Sequence, residues 1–192
     1  MTKFNMKMAA LAFGVAGSFA PLNSAFADAP LWKVNAAQSG IYWSTTWTNQ
    51  PVTGNFNNFS ANIKFNPDDL KSSSVVVNIP LNPIASPSRE AVDNLPLKDW
   101  LDTKAFPNAK YESNSFRKTG ANSYVADGFL TLKGVKYKLA LPFTLQTNGN
   151  QAVMNGKVVI DRMKLKIGLS SDGKGEWVSR NVTVNIKVTA TK

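Results

Sequence analysis

The chain has 192 residues, 43% of them hydrophobic and 18% charged, enough to bury a core as a single domain. Twenty-two Lys and Arg against 12 Asp and Glu give a net charge of +10. With no Cys and no His, the chain has no disulfide, no thiolate nucleophile, no His general base and no Cys or His zinc site.

Residues 1–27 are expected to be a cleavable signal peptide. Lys3 and Lys7 make a basic region, Met8 to Ala20 is apolar but too short to span a bilayer, and Ala25-Phe26-Ala27 has the small-x-small form of a cleavage site. Residues 28–192 would then be one periplasmic domain of net charge +8, since Lys3 and Lys7 leave and no acid does.

The first strand is expected over Leu31 to Thr48, where Ile41, Trp43, Thr45 and Trp47 share one face. Gln50-Pro51 is expected to break it. A second strand over Val52 to Asn66 alternates Phe59, Ala61, Ile63 and Phe65 against polar residues, and Asn66-Pro67-Asp68-Asp69 reads as a turn. Val75, Val77, Ile79 and Leu81 form the next face. Pro80 puts that strand at an edge or turns its missing donor outward.

Ile84 to Asn94 reads as a loop. The segment from Leu95 to Tyr111 is the one place where apolar spacing becomes helical, through Leu97, Trp100, Leu101 and Phe106. Asp93 or Asn94 would cap this helix, Pro96 would fit its first turn and Pro107 would stop it. Such an insert in a β chain either covers an open end or shapes a site.

Beyond it the pattern is β again. Strands are expected over Ala109 to Arg117, Tyr124 to Leu132, Val135 to Leu145, Ala152 to Ile160 and Val182 to Ala190, with turns at Thr119 to Asn122, Lys133-Gly134 and Asn148 to Asn150. Leu169 to Gly175 is a loop. The clearest alternation sets Val135, Tyr137, Leu139, Leu141, Phe143 and Leu145 against Lys136, Lys138 and Thr144, as in an antiparallel sheet with one dry face. About eight strands at this spacing argue for a sandwich or a barrel.

No catalytic constellation is evident. Asp99 and Asp102 are three apart, but with Lys98 and Lys104 beside them they read as a solvated charged face. No Walker spacing and no Asp-rich calcium loop occur. The Lys are dispersed on outward strand positions (Lys64, Lys136, Lys138, Lys157, Lys187), without the aromatic interleaving of a nucleic-acid platform. The positive charge fits a soluble basic surface or attraction to lipid head groups or a pyrophosphate. The many large rings, taken together, suit a barrel interior that holds one elongated apolar ligand.

The stretches VTGNFNNFSANIKFNPDDLKSSSVVVNIPL, LKDWLDTKAFPNAKYES and GFLTLKGVKYKLALPFTL resemble the YceI-like, polyisoprenoid-binding family in order and spacing. The resemblance implies an exported, all-β, antiparallel eight-stranded lipocalin-like barrel with one short helical insert. It implies a non-enzymatic protein that holds an isoprenoid, quinone or polyprenol chain, with no metal and no covalent cofactor. The apolar lining expected on this basis is Trp43, Trp47, Phe56, Phe59, Ile63, Phe65, Leu97, Trp100, Leu101, Phe106, Leu130, Leu132, Tyr137, Leu139, Leu141 and Phe143. The usual His residues are missing from WTNQPVTG and from Arg89 to Leu95, so Arg89 and Lys98 become the candidates for head-group contacts. Ile167-Gly168 and Gly175-Glu176-Trp177 echo a subgroup resembling domains of cytochrome b561-type membrane proteins. The alternative function is therefore an accessory domain for quinone-linked electron transfer with a membrane cytochrome b. Peripheral contact with a membrane is expected and nucleic acid is not.

Overall fold

In the computed structural model, which describes residues 28–56 and 58–192, every strand pairing is antiparallel. The elements are β1 (Leu31–Val34), β2 (Gly40–Trp47), β3 (Gln50–Phe56), β4 (Ser60–Lys64), β5 (Ser74–Pro80), α1 (Arg89–Asn94), β6 (Asn108–Lys118), β7 (Ser123–Leu132), β8 (Val135–Asn148), β9 (Gln151–Asp161) and β10 (Asn181–Thr191). Eight strands close a ring in the order β1, β4, β5, β6, β7, β8, β9, β10, with β10 returning to β1. The expected signal peptide lies outside the described residues.

Two expected strands are each split, which adds β2 and β3 to the ring of eight. The first breaks at a 3-10 turn over Ala36–Gln38, where Asn35 Oδ1 accepts the N–H of Ala37 at 3.1 Å. β1 and β2 then share one edge of β10: β1 pairs through Lys33↔Thr191 and Val34↔Ala190, and β2 pairs with Thr183 to Lys187. The second split falls between Phe56 and Ser60. The turn after β2 lies at Thr48-Asn49, both with positive φ, one step before the expected break at Gln50-Pro51. Pro51 instead sits in β3, the outer strand of the hairpin, where a missing donor is tolerated. β5 is not an edge strand. It runs between β4 and β6, and Pro80 is tolerated as its last residue, opposite Asn108.

Alternation puts the apolar face of each strand inside. One end of the barrel is filled by rings: Phe65 meets Phe116 and Tyr124 edge-on, each at 5.4 Å, and Phe143 at 5.8 Å, while Tyr124 and Phe143 stack at 5.5 Å. Such pairs contribute about 0.5–1.5 kcal/mol each beyond simple burial. Phe129 faces outward instead, with Lys136 Nζ 4.5 Å from its ring centre.

The helix is not where the apolar spacing put it. α1 spans Arg89–Asn94, capped by Ser88 Oγ accepting from Ala91 N at 3.2 Å. Pro96 follows it rather than opening it, since proline has no N–H to continue the ladder. Residues 95–103 form a coil of turns whose hydrogen bonds follow no helical register: Trp100 N reaches back three residues to Leu97 O, Leu101 N six to Leu95 O and Thr103 N seven to Pro96 O. Pro107 therefore stops no helix. It lies beside β6, its carbonyl accepting from Leu81 N at 2.9 Å.

Candidate functional site

The interior is a succession of cavities walled by the inward residues of the strands. Phe59, Ile63 and Phe65 on and beside β4, Leu139, Leu141 and Phe143 on β8, and Val184 and Ile186 on β10 surround an inner cavity of about 170 Å³. A middle cavity of about 180 Å³ adjoins it, because Ile41, Ile79, Leu130, Ile160 and Val184 belong to both walls. The exposed lining of both is apolar throughout. Trp43, Phe56, Trp100, Leu101 and Leu132 also line the middle cavity. Trp43, Thr45, Leu95, Trp100 and Val178 pass on to a third recess of about 230 Å³ at the open end of the barrel. Here Trp47 and Trp177 stand with the polar side chains of Ser88, Glu90, Asn94 and Ser171.

Three of the expected lining residues lie elsewhere. Leu97 is 53% exposed and Phe106 36% exposed. Neither reaches a cavity, because the coil of turns does not keep the single face that a helix would. Phe106 rests on the β7–β8 turn, where a Cβ on Gly134 would come within 2.9 Å of its ring. Tyr137 packs against the core beside the cavity walls without joining them. The two residues expected to contact a head group, Arg89 and Lys98, line none of these three cavities. Arg89 has a side chain 91% exposed and paired with Asp93 at 3.5 Å, and Lys98 is exposed on the coil.

Asp99 is no free solvated charge. Its carboxylate accepts from Ser170 N at 2.9 Å, Ser171 N at 2.8 Å and Ser171 Oγ at 2.6 Å. Burial alone would raise its pKa, but these hydrogen bonds outweigh it and hold the carboxyl at about 2. Lys133 Nζ donates to the carbonyls of Asp99 and Lys166 at 2.6 and 2.8 Å, so the coil, the β7–β8 turn and the 164–172 loop are tied together. Burial lowers the Lys133 pKa against the opposing charges of Asp99 and Asp102. Asp102 occupies a left-handed turn position with φ 49°.

One charged side chain in the cavity wall follows no local sequence pattern. Arg162 lines the middle cavity and is only 2% exposed. Its guanidinium donates to Ile167 O at 2.7 Å, Ser179 O at 3.1 Å, Val178 O at 2.8 Å and Asp172 Oδ2 at 2.6 Å, and lies 5.5 Å from the Trp100 ring. The Asp172 carboxylate also accepts the N–H groups of Glu176, Trp177 and Val178. Burial works to raise its pKa, and these donors with the Arg162 charge hold it below the ordinary carboxylate value. The pair is internally neutral and shapes the loop that carries Trp177. Asp161-Arg162 at a strand end, ten residues before Asp172, was the only sequence signal.

The indole of Trp43 spans the middle cavity and the mouth. It stands opposite Gly54, where any Cβ would collide with its Cε2 and Cζ2. Its Nε1–H is buried with no acceptor among the described residues. Among those residues no group of Asp and Glu is arranged to hold a metal ion, and no helix is long and apolar enough to cross a membrane.

This architecture has relatives. The family model described as a YceI-like domain matches residues 32–190. A UPF0312 protein of Shewanella oneidensis is 34% identical over 92 residues, a match spanning 47% of each chain, so about half the length of that curated relative. The crystal structure of BcnA from Burkholderia cenocepacia superposes with a TM-score of 0.78 at 28% identity, covering 83% of this chain and all of that one. A polyisoprenoid-binding domain from Saccharophagus degradans, implicated in plant cell wall breakdown, superposes with a TM-score of 0.63 at 13% identity, over 83% of this chain and 97% of that one.

Proposed function

The chain belongs to the YceI-like domain family, and from that premise we propose that it is an exported binding protein that holds one long apolar chain, an isoprenoid quinone, polyprenol or similar lipid. The observation that carries this reading is the pair of adjoining cavities with wholly apolar exposed lining, reached from a mouth that has polar side chains. Apolar burial at about 25 cal/mol per Å² is the driving term for such a ligand, and it needs no charged contact along the chain. The shared fold with a domain described as polyisoprenoid-binding supports the ligand class. The basic, apolar and small-x-small order of residues 1–27 supports export. Binding rather than catalysis is the proposed role, with both oxygens of Asp99 engaged by Ser170 and Ser171.

The test is mass spectrometry of organic extracts from natively purified protein, followed by titration of stripped protein with an isoprenoid quinone and a polyprenol. A co-purifying long-chain lipid and saturable one-to-one binding are expected. Protein that carries no lipid and takes up neither probe would overturn the proposal.

A further inference from the structure

The open end of the barrel carries a set of exposed apolar side chains. Trp177 is 62% exposed beside the mouth, and Leu97 and Leu169 are 53% and 41% exposed on the two loops that Asp99 ties together. Phe106 and Val92 add partly exposed apolar surface from the same end. Isolated exposed apolar residues are ordinary on a protein surface. Here they are gathered on the loops around one opening, and that opening leads into an apolar lumen.

The charges at this end sort in one direction. Apart from Asp102, whose charge acts on Lys133, the acids are already engaged within the chain: Asp93 with Arg89, Glu176 with Lys174, Asp161 with Arg180, Asp172 with Arg162, Glu90 with Ser88 Oγ, and Asp99 with Ser170 and Ser171. Lys98, Lys104, Lys164 and Lys166 are exposed and take part in no ion pair among the described residues. The loops are also braced, through Asp99 and through Lys133 to the carbonyls of Asp99 and Lys166, so their apolar tips are presented on a fixed frame.

We propose that this end docks on an anionic lipid surface. Trp177, Leu97 and Leu169 enter the head-group boundary, and Lys98, Lys104, Lys164 and Lys166 face lipid phosphates. An amphipathic indole suits the interface, and lysines near an anionic surface add attraction that salt weakens. Docked in this way, the mouth faces the bilayer, and an apolar chain passes between membrane and lumen without crossing water. That purpose rests on the lipid-holding reading, but the docking is measured independently of it.

The experiment is vesicle flotation of lipid-stripped protein purified natively after export. Vesicles containing phosphatidylglycerol are compared with vesicles of phosphatidylcholine alone, at low and high salt. Partitioning onto the anionic vesicles that falls with salt is expected. Each Lys→Gln neutralisation at Lys98 or Lys166 should weaken it about fivefold, from roughly 1 kcal/mol per cation near such a surface. Trp177→Ala should weaken it on both vesicle types, while Leu31→Ala, which removes a 58% exposed residue at the opposite end, should change nothing. Circular dichroism checks that each variant is folded. Equal partitioning of wild type and Trp177→Ala, or equal losses for Trp177→Ala and Leu31→Ala, would overturn the docking surface. If flotation fails while the protein still binds quinone or polyprenol in solution, the docking proposal falls alone. If flotation succeeds and no lipid is ever held, the lumen reading falls instead.

Discussion

Trp32 and Trp43 bury their indoles in the same barrel, but only Trp32 finds an acceptor: its Nε1–H donates to Phe65 O at 2.9 Å, whereas that of Trp43 has none among the described residues. Replacing each by Phe removes the N–H and a similar slice of ring. Trp32→Phe also strands the Phe65 carbonyl, at a cost of about 1–2 kcal/mol, and Trp43→Phe removes a donor that was never satisfied. Trp32→Phe is therefore expected to be the more destabilising by about 1 kcal/mol or more, as measured by urea unfolding of the two variants side by side.

Arg162 and Asp172 pose the opposite problem, two opposite charges enclosed together. Asp172→Ala leaves a buried guanidinium without its carboxylate and three N–H groups of the 176–178 segment without an acceptor. A loss of about 3–5 kcal/mol is expected from equilibrium unfolding. The double change Arg162→Met with Asp172→Leu should be milder than Asp172→Ala alone, because no charge is then stranded.

Asp99 makes stability depend on pH in one window. Its folded pKa of about 2 lies below the ordinary 3.8. The ionised form is therefore favoured by folding, its contribution is complete above about pH 4, and it is lost as pH falls through 2. Asp99→Asn lacks this dependence. The stability gap between wild type and Asp99→Asn should be constant from pH 7 to about 4 and should narrow toward pH 2. Denaturation midpoints across that range provide the check.

Val184 stands in the wall shared by the inner and middle cavities. Val184→Phe should obstruct the passage between them. A ring that displaces two methylene-sized segments of a bound chain, at about 0.8 kcal/mol each, should weaken long-chain lipid binding roughly tenfold. Lys138→Ala, on the outward face of β8, should leave it unchanged. Titration with an isoprenoid quinone measures both.

Most of the wall was legible because an antiparallel sheet with one dry face imposes strict alternation, and Leu139, Leu141 and Phe143 follow it without exception. The cap was not legible for two physical reasons. The real helix, Arg89–Asn94, buries no residue and so has no apolar stripe; only Ser88 before an acid in the first turn marked it. Leu97, Trp100, Leu101 and Phe106 imitate helical spacing while folding as turns, so Trp100 and Leu101 reach the lumen and the other two do not. The Arg162–Asp172 pair joins residues from separate segments, and no local pattern announces it. The inward side of Trp43 was readable from period two, but its unpaired N–H depends on what lies around it in three dimensions.

The ring closes where β1 meets β10, through Lys33↔Thr191 and Val34↔Ala190, while β9 and β10 pair along their whole length. The closing contact joins segments about as far apart in sequence as Ser39 and Thr189, which are 150 residues apart. Contacts this distant form late, because loop closure must be achieved before they stabilise anything. The hairpins from β6 to β10 can assemble between sequence neighbours, but a sheltered interior exists only after the two ends have met. On the proposed lipid-holding role, the Lys33↔Thr191 and Val34↔Ala190 pairings are thus what a bound chain depends on for its shelter from water.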